Sequence, residues 1–258
     1  MKGVIVYFPW GAAGNLVRNI ITIDPRFDFI DNLEFRAAYP TAEERFNWLL
    51  AYYQQPMDPT KWLQREWSIR QRLHTCYYTN NTIQFWNPDA LVAYDCHGEE
   101  HEIDEILANQ NLRCYDQHRI STGERAEQIS TWRLQDCNHV FLLPTDTKLI
   151  AEIYNSKNPV LNQLNGTLQE KQTAALGAIN AMSNRLSSLV DPLITNGSKV
   201  GIYTADTLYS TAGYKTIYDI VTELRLDITL SQVKTLHSIW LQSTKEVYYN
   251  YFNRELTT

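Results

Sequence analysis

Gly11, Ala12, Ala13, Gly14, Asn15 and Leu16, together with His97, are the residues whose types and placing point to chemistry. Side chains this small allow an anion to approach the unpaired amides of a helix's first turn, where aligned peptide dipoles add partial positive charge. A sulfate or phosphate is the natural occupant. Glycine is scarce, 10 residues in 258, which gives a Gly-x-x-Gly pair at this place weight. The alternative is an ordinary strand-to-helix turn of an α/β protein. A Walker-type loop is disfavoured, because no Lys occurs between Lys2 and Lys61. A dinucleotide fingerprint needs a further glycine in the pattern Gly-x-Gly-x-x-Gly. Asp31, after a candidate strand over 27–30, stands about where a ribose-binding acid belongs, which keeps a nicotinamide or nucleotide-sugar enzyme open as an alternative.

His97 closes an apolar run, 90–98, that ends in polar residues. Chemistry in parallel sheets collects at the carboxyl ends of strands, so His97 is the first candidate for proton transfer. His97, Glu100 and His101 also have the order of an inverted zinc-protease motif. Gly98 directly after a strand opposes the helix such a motif requires; a solvated acidic loop is the alternative, and no metal is expected. Thr145, Thr147 and Lys148 follow a third apolar run and offer hydroxyl and ammonium contacts to an anion, or simply a helix cap.

The elements that must position these groups follow from apolar spacing. Residues 4–8 are a buried strand, and the apolar series from Leu16 to Ile21 is the helix behind the small-residue loop, ended near Asp24 and Pro25. Thr41 and Glu44 form a capping box, and Phe46, Leu49, Leu50 and Tyr53 make one stripe of the helix that follows. A further helix is expected over 60–72 and β-prone runs over 73–86. Strands are expected over 90–98, 139–148 and 199–206, and helices near 149–154, 212–224 and 230–252. Thr167 and Glu170 open a long helix halted before Pro192. The fold class is α/β: three layers around a mostly parallel sheet, in a single domain over 1–258 with helical insertions around 41–72 and 160–192.

Composition bounds the function. A net charge of -6 disfavours a nucleic-acid binder held by bulk charge. No apolar run approaches the ~18 residues of a membrane span, and the opening residues are too short for a signal peptide, so a cytoplasmic protein is expected. Cys76, Cys96, Cys114 and Cys137 are far apart and read as buried free thiols. Three Asn-x-Ser/Thr triplets, at Asn80, Asn165 and Asn196, read as turns. The aromatic C-terminal helix, with Trp240, Tyr248, Tyr249, Tyr251 and Phe252, is expected to dock on the body or on a partner subunit.

Three segments together resemble the sulfotransferase family, in the divergent form found in tailed viruses of marine bacteria. Residues 8–15 resemble the loop that holds the sulfate and phosphate of 3′-phosphoadenosine 5′-phosphosulfate. Asp95, Cys96 and His97 resemble the strand end that presents the catalytic base, and 200–226 resembles the later strand and helix. The resemblance implies that donor, a small-molecule or carbohydrate acceptor, and a location in a host cytoplasm or virus particle. It implies donor contacts from 11–16, Thr145 and Lys148, and catalytic roles for His97 and for Arg18. Departures accompany it. Trp10 stands where the family carries Lys, and Asp146 lies where a 3′-phosphate is expected. An inactive relative with a structural or interaction role is therefore the alternative.

Overall fold

The computed structural model describes residues 3–27, 39–55, 82–85, 91–108, 111–116, 125, 128–158 and 166–256. In chain order these form β1 (Gly3–Tyr7), α1 (Gly14–Ile21), α2 (Ala42–Gln54), β2 (Thr82–Phe85), β3 (Val92–Cys96), α3 (Glu100–Ala108), β4 (Asn111–Asp116) and β5 (Gln128–Arg133). A 3₁₀ turn (Leu134–Asp136), β6 (Asn138–Leu143), α4 (Thr147–Lys157), α5 (Leu168–Thr195) and β7 (Lys199–Thr204) follow. A second 3₁₀ turn (Ala205–Tyr209), α6 (Tyr214–Glu223) and α7 (Leu230–Phe252) complete them.

The main sheet has the order β3-β1-β6-β7 and is parallel throughout. Its first strand is internal, which explains the continuous apolar run: β1 is buried on both faces and along both edges. Val4 and Val6 face one core with α1, α2, α4, α6 and α7. Ile5 and Tyr7 face a second, with Ile103 and Ile106 of α3 and Leu186, Leu189 and Leu193 of α5. Alternate side chains of one strand thus anchor both outer layers of a three-layer α/β fold. The chain leaves β1 toward β3 and returns past it to β6. The loops after β1 and β6 therefore diverge, making a switch point at the carboxyl end of the sheet.

Both edges of β1 are taken, so the segment after α1 is not its neighbour. Phe27 instead bridges Leu91, ahead of β3. That removes the strand order a dinucleotide fold requires; Asp31 and the helix expected over 60–72 lie outside the described residues. A second, three-stranded sheet, β2-β4-β5, mixes a parallel and an antiparallel pair. Sequence periodicity did not indicate β4, β5 or α3. The long helix also continues through Pro192 to Thr195. A proline there forfeits one hydrogen bond near the helix end, while Leu189, Val190 and Leu193 on the buried stripe keep the last turns docked. Both expected capping boxes are present, and α7 adds a third through Thr229 and Gln232. Trp240 and Tyr248 of α7 dock on the body. Cys96 and Cys137 are buried free thiols; Cys76 and the Cys114 side chain lie outside the described residues. No helix among the described residues is long and apolar enough to cross a membrane.

Asp24, fully buried, ties the end of the α1 segment to the loop after α6. Its carboxylate accepts from the Arg26 amide and guanidinium and from the Asp227 amide. Burial alone would raise this carboxyl, but those bonds outweigh it and hold the carboxyl below its ordinary value. His139 of β6 is a second buried polar group. Its Nε2–H donates to the Leu134 carbonyl at 3.0 Å, which leaves Nδ1 to accept from the Tyr7 hydroxyl at 2.9 Å. Burial lowers this imidazole to about 4. The unfolded chain therefore binds a proton first, and stability that is full above pH 6.5 falls as pH drops toward 4, by about 3 kcal/mol from this group. Buried His237, also lowered by burial, acts in the same direction. Thermal unfolding followed between pH 7 and pH 5 is expected to show a falling melting temperature, with a shallower slope in His139→Gln.

Candidate functional site

The switch point gathers three loops: 8–13 after β1, 97–99 after β3 and 144–146 after β6. In the first, Ala12 donates its N–H to the Pro9 carbonyl, and Leu16 and Val17 donate theirs to Ala13. Ala13 caps α1 in the left-handed conformation, φ 60°, without a side-chain cap. That strain costs about 1–2 kcal/mol for a residue bearing a Cβ. Gly14 has a packing reason of its own: a Cβ there would lie 2.0 Å from the Phe8 ring. Gly11, φ +86°, sits against the Ile150 carbonyl and Tyr154 of α4. Trp10, in the place expected of a Lys, stacks on Tyr154 with ring centroids 5.3 Å apart. Leu16 and Ala12 are fully buried. Asn15 keeps its buried Oδ1 without a hydrogen-bond partner among the described residues.

His97 lies beside this loop, its ring meeting Phe8 edge-on at 4.6 Å between centroids. Phe8 thus touches both Gly14 and His97 and stands between them. Imidazole Nδ1 is 3.3 Å from the Phe8 carbonyl, an acceptor only, so the contact is a hydrogen bond when Nδ1 carries a proton. Nε2 is 4.0 Å from Asp95 Oδ2. The same oxygen receives Arg18 Nη1 at 2.6 Å, in an ion pair whose side chains are each 3 % exposed. Arg18 also donates to Asn19. Its guanidinium is therefore directed at Asp95 rather than back along α1 to the loop. Glu102 fixes the backbone behind His97, accepting from the His97 and Glu99 amides at 2.9 and 3.0 Å and from the Cys96 thiol. Burial and the neighbouring Glu102 carboxylate push that thiol well above its usual value, so it is a donor and not a nucleophile. His101 is exposed and faces Glu99.

The third loop is held from across the sheet. Asp206, in the 3₁₀ turn after β7, accepts from the Thr145 and Asp146 amides at 2.7 and 3.0 Å, and from the Thr145 hydroxyl. Tyr209 of the same turn donates its hydroxyl to the Gly11 carbonyl. One five-residue turn therefore fastens two of the three loops, 8–13 and 144–146. It is anchored by His237, whose Nε2–H donates to the Leu208 carbonyl, and by the Lys157 ammonium over the Tyr209 and Trp240 rings. Asp146 caps α4 through the Leu149 amide. Lys148 is exposed on α4, at a shallow groove with Glu152, Gln169 and Thr173.

The structure thus brings Gly11, Ala12, Ala13, Gly14, Asn15, Leu16, Arg18, His97 and Thr145 to one end of the sheet, and leaves Lys148 on its flank. Asp95 was named from sequence only as part of the strand end before His97, and Asp206 lay within the segment 200–226 without a role; Glu102 and Tyr209 were likewise assigned none. For Asp95 a signal existed, since residues two apart in an extended segment share a face. No protein-family model matches the chain, and no curated protein or solved structure matches it either.

Two substitutions test this packing. Gly14→Ala is expected to destabilise the protein by about 1–3 kcal/mol in urea unfolding, a loss partly recovered by Phe8→Leu. Asp95→Asn, which strands a buried guanidinium, is expected to lose about 3–5 kcal/mol.

Proposed function

We propose that the chain is a sulfotransferase-like group-transfer protein in which His97 accepts the proton of an acceptor hydroxyl or amine. The observation that carries this reading is the placing of His97, with Nδ1 3.3 Å from the Phe8 carbonyl and Nε2 4.0 Å from the Asp95 carboxylate: when Nδ1 donates to the carbonyl, the neutral ring has its basic lone pair on Nε2. A carboxylate at that distance favours the imidazolium formed when the proton arrives. Arg18 keeps Asp95 ionised and in place. The donor, 3′-phosphoadenosine 5′-phosphosulfate, supplies the sulfuryl group.

The two ends of the site fit that donor unequally. Amides at the start of α1 suit anionic oxygens near the reacting end, whereas the Asn15 amide oxygen, an acceptor, adds no contact to them. The amides expected to hold the 3′-phosphate already receive Asp206, a carboxylate in the place of a ligand anion. Trp10 supplies no charge at the loop. A missing charge contact of that kind lowers the rate by about a hundredfold or more. These last features favour a second reading, a non-catalytic protein of the same architecture with a structural or interaction role.

Calorimetry with adenosine 3′,5′-bisphosphate separates the two. The transferase reading expects binding below millimolar concentration, tightened in Asp206→Asn, and donor turnover that falls about 10²–10⁴-fold in His97→Gln while binding persists. Absence of binding by both the wild type and Asp206→Asn would establish the non-catalytic reading in its place.

A further inference from the structure

At the opposite end of the sheet from His97, the amino ends of β6 and β7 open into a half-enclosed cavity of about 330 Å³. Its floor is made by Val140, Gly201 and Leu224, and its rim by Arg26, Lys199, Arg225 and Glu223. The floor exists because Gly201 has no side chain: a Cβ there would meet the Tyr203 ring at 2.9 Å. Tyr203 lies along the wall and donates its hydroxyl to Glu223 at 2.7 Å. This volume is at the low end of small-ligand sites, which run from about 300 to 1,000 Å³.

The charges on the rim do not cancel. Arg26 is neutralised by Asp24, which it grips through Nε and Nη2 at 2.9 and 2.6 Å. Lys199 and Arg225 have no ion-pair or hydrogen-bond partner for their side chains among the described residues. Glu223 is the only acid among the residues that line the cavity, so with Arg26 matched by Asp24 the lining carries an excess of one positive charge; Asp227 and Asp219, which act on Arg26 and Tyr203, are not part of that lining. Arg225 sits at its post against local preference. It is the residue after the C-cap of α6, with φ 55°. Its amide donates to the Thr222 carbonyl and that of Leu226 to Val221, the bond pair that ends a helix on a left-handed residue, usually glycine. An arginine there is strained where a glycine would be relaxed. Arg26 Nη2 donates to the Arg225 carbonyl at 2.8 Å, which locks the turn so that the two guanidinium groups share one rim.

We infer that this cavity is a binding site for a small organic anion, one phosphate or carboxylate group on a short apolar or aromatic body. The head would lie between Lys199 and Arg225, and the body over Gly201 against Tyr203. Its position at the amino ends of the strands makes it separate from the His97 site and independent of how that site functions.

Titration of the full chain with phenyl phosphate, benzoate and inorganic phosphate, at constant ionic strength and followed by thermal shift and NMR, tests the inference. Saturable binding is expected for phenyl phosphate or benzoate, at least several-fold tighter than for inorganic phosphate, with shifts at Gly201, Tyr203 and Arg225. Arg225→Gly is the informative variant, because relief of the left-handed strain raises the melting temperature of the free protein by a few degrees. In it, affinity is expected to fall about tenfold, as also in Lys199→Ala; Glu223→Gln is expected to tighten binding, and His97→Gln to leave it unchanged. The inference is overturned if none of the three probes saturates, or if Arg225→Gly melts higher yet binds as the wild type does.

Discussion

A carboxylate on β3 and a guanidinium on α1 meet 2.6 Å apart beneath the switch point, both almost wholly out of water. Two buried charges are tolerable only as a pair, so this contact sets how α1 lies across the sheet. It also decides what the neighbouring imidazole can do. With Arg18 committed below, Asp95 stays ionised, and its shared oxygen is the counter-charge that His97 faces. The first helix, its loop and the strand end carrying His97 therefore form one electrostatic unit, and displacing any member leaves a charge stranded in the core.

Around that unit, groups that a ligand could engage are largely met by the protein itself. Phe8 covers Gly14, Trp10 lies on Tyr154, Tyr209 takes the Gly11 carbonyl, and Asp206 takes two amides and a hydroxyl after β6. The turn bearing Asp206 and Tyr209 is in turn held by α7 through His237 and Trp240. A change at the C-terminal helix is thereby connected, through packed side chains, to the switch-point loops after β1 and β6.

Much of this architecture was legible in local pattern. The run over 4–8, the capping boxes at Thr41 and Thr167, and the presence of strands before His97, Asp146 and Asp206 follow from periodicity and end signals alone, although β6 and β7 stop earlier than expected, at Leu143 and Thr204. Gly14 was legible as special, but its reason was not. The ring that forbids a side chain there belongs to Phe8, six positions earlier, and only the fold-back of the loop brings them together. Asp206 was harder still, because its partners are 60 and 61 positions away and nothing local marks a carboxylate as an amide acceptor. Of the small sheet, β2 falls within the β-prone runs expected over 73–86, while β4 and β5 escaped because an antiparallel pair with a register shift lacks a strong period. Pro192 misled for a simpler reason: a stop signal near a helix end yields to a buried stripe that runs past it.

The internal position of β1 has a consequence for how the chain reaches this state. Its partners arrive late: Tyr7 meets His139 across 132 positions, and β3 is itself far downstream. A strand apolar on both faces is thus synthesised well before either neighbour exists, and no hairpin can shelter it meanwhile. Closing such long loops before any pairing is gained makes assembly slow and leaves an adhesive segment bare on the nascent chain. During synthesis, the most protected part of the finished protein is the part that most needs a chaperone.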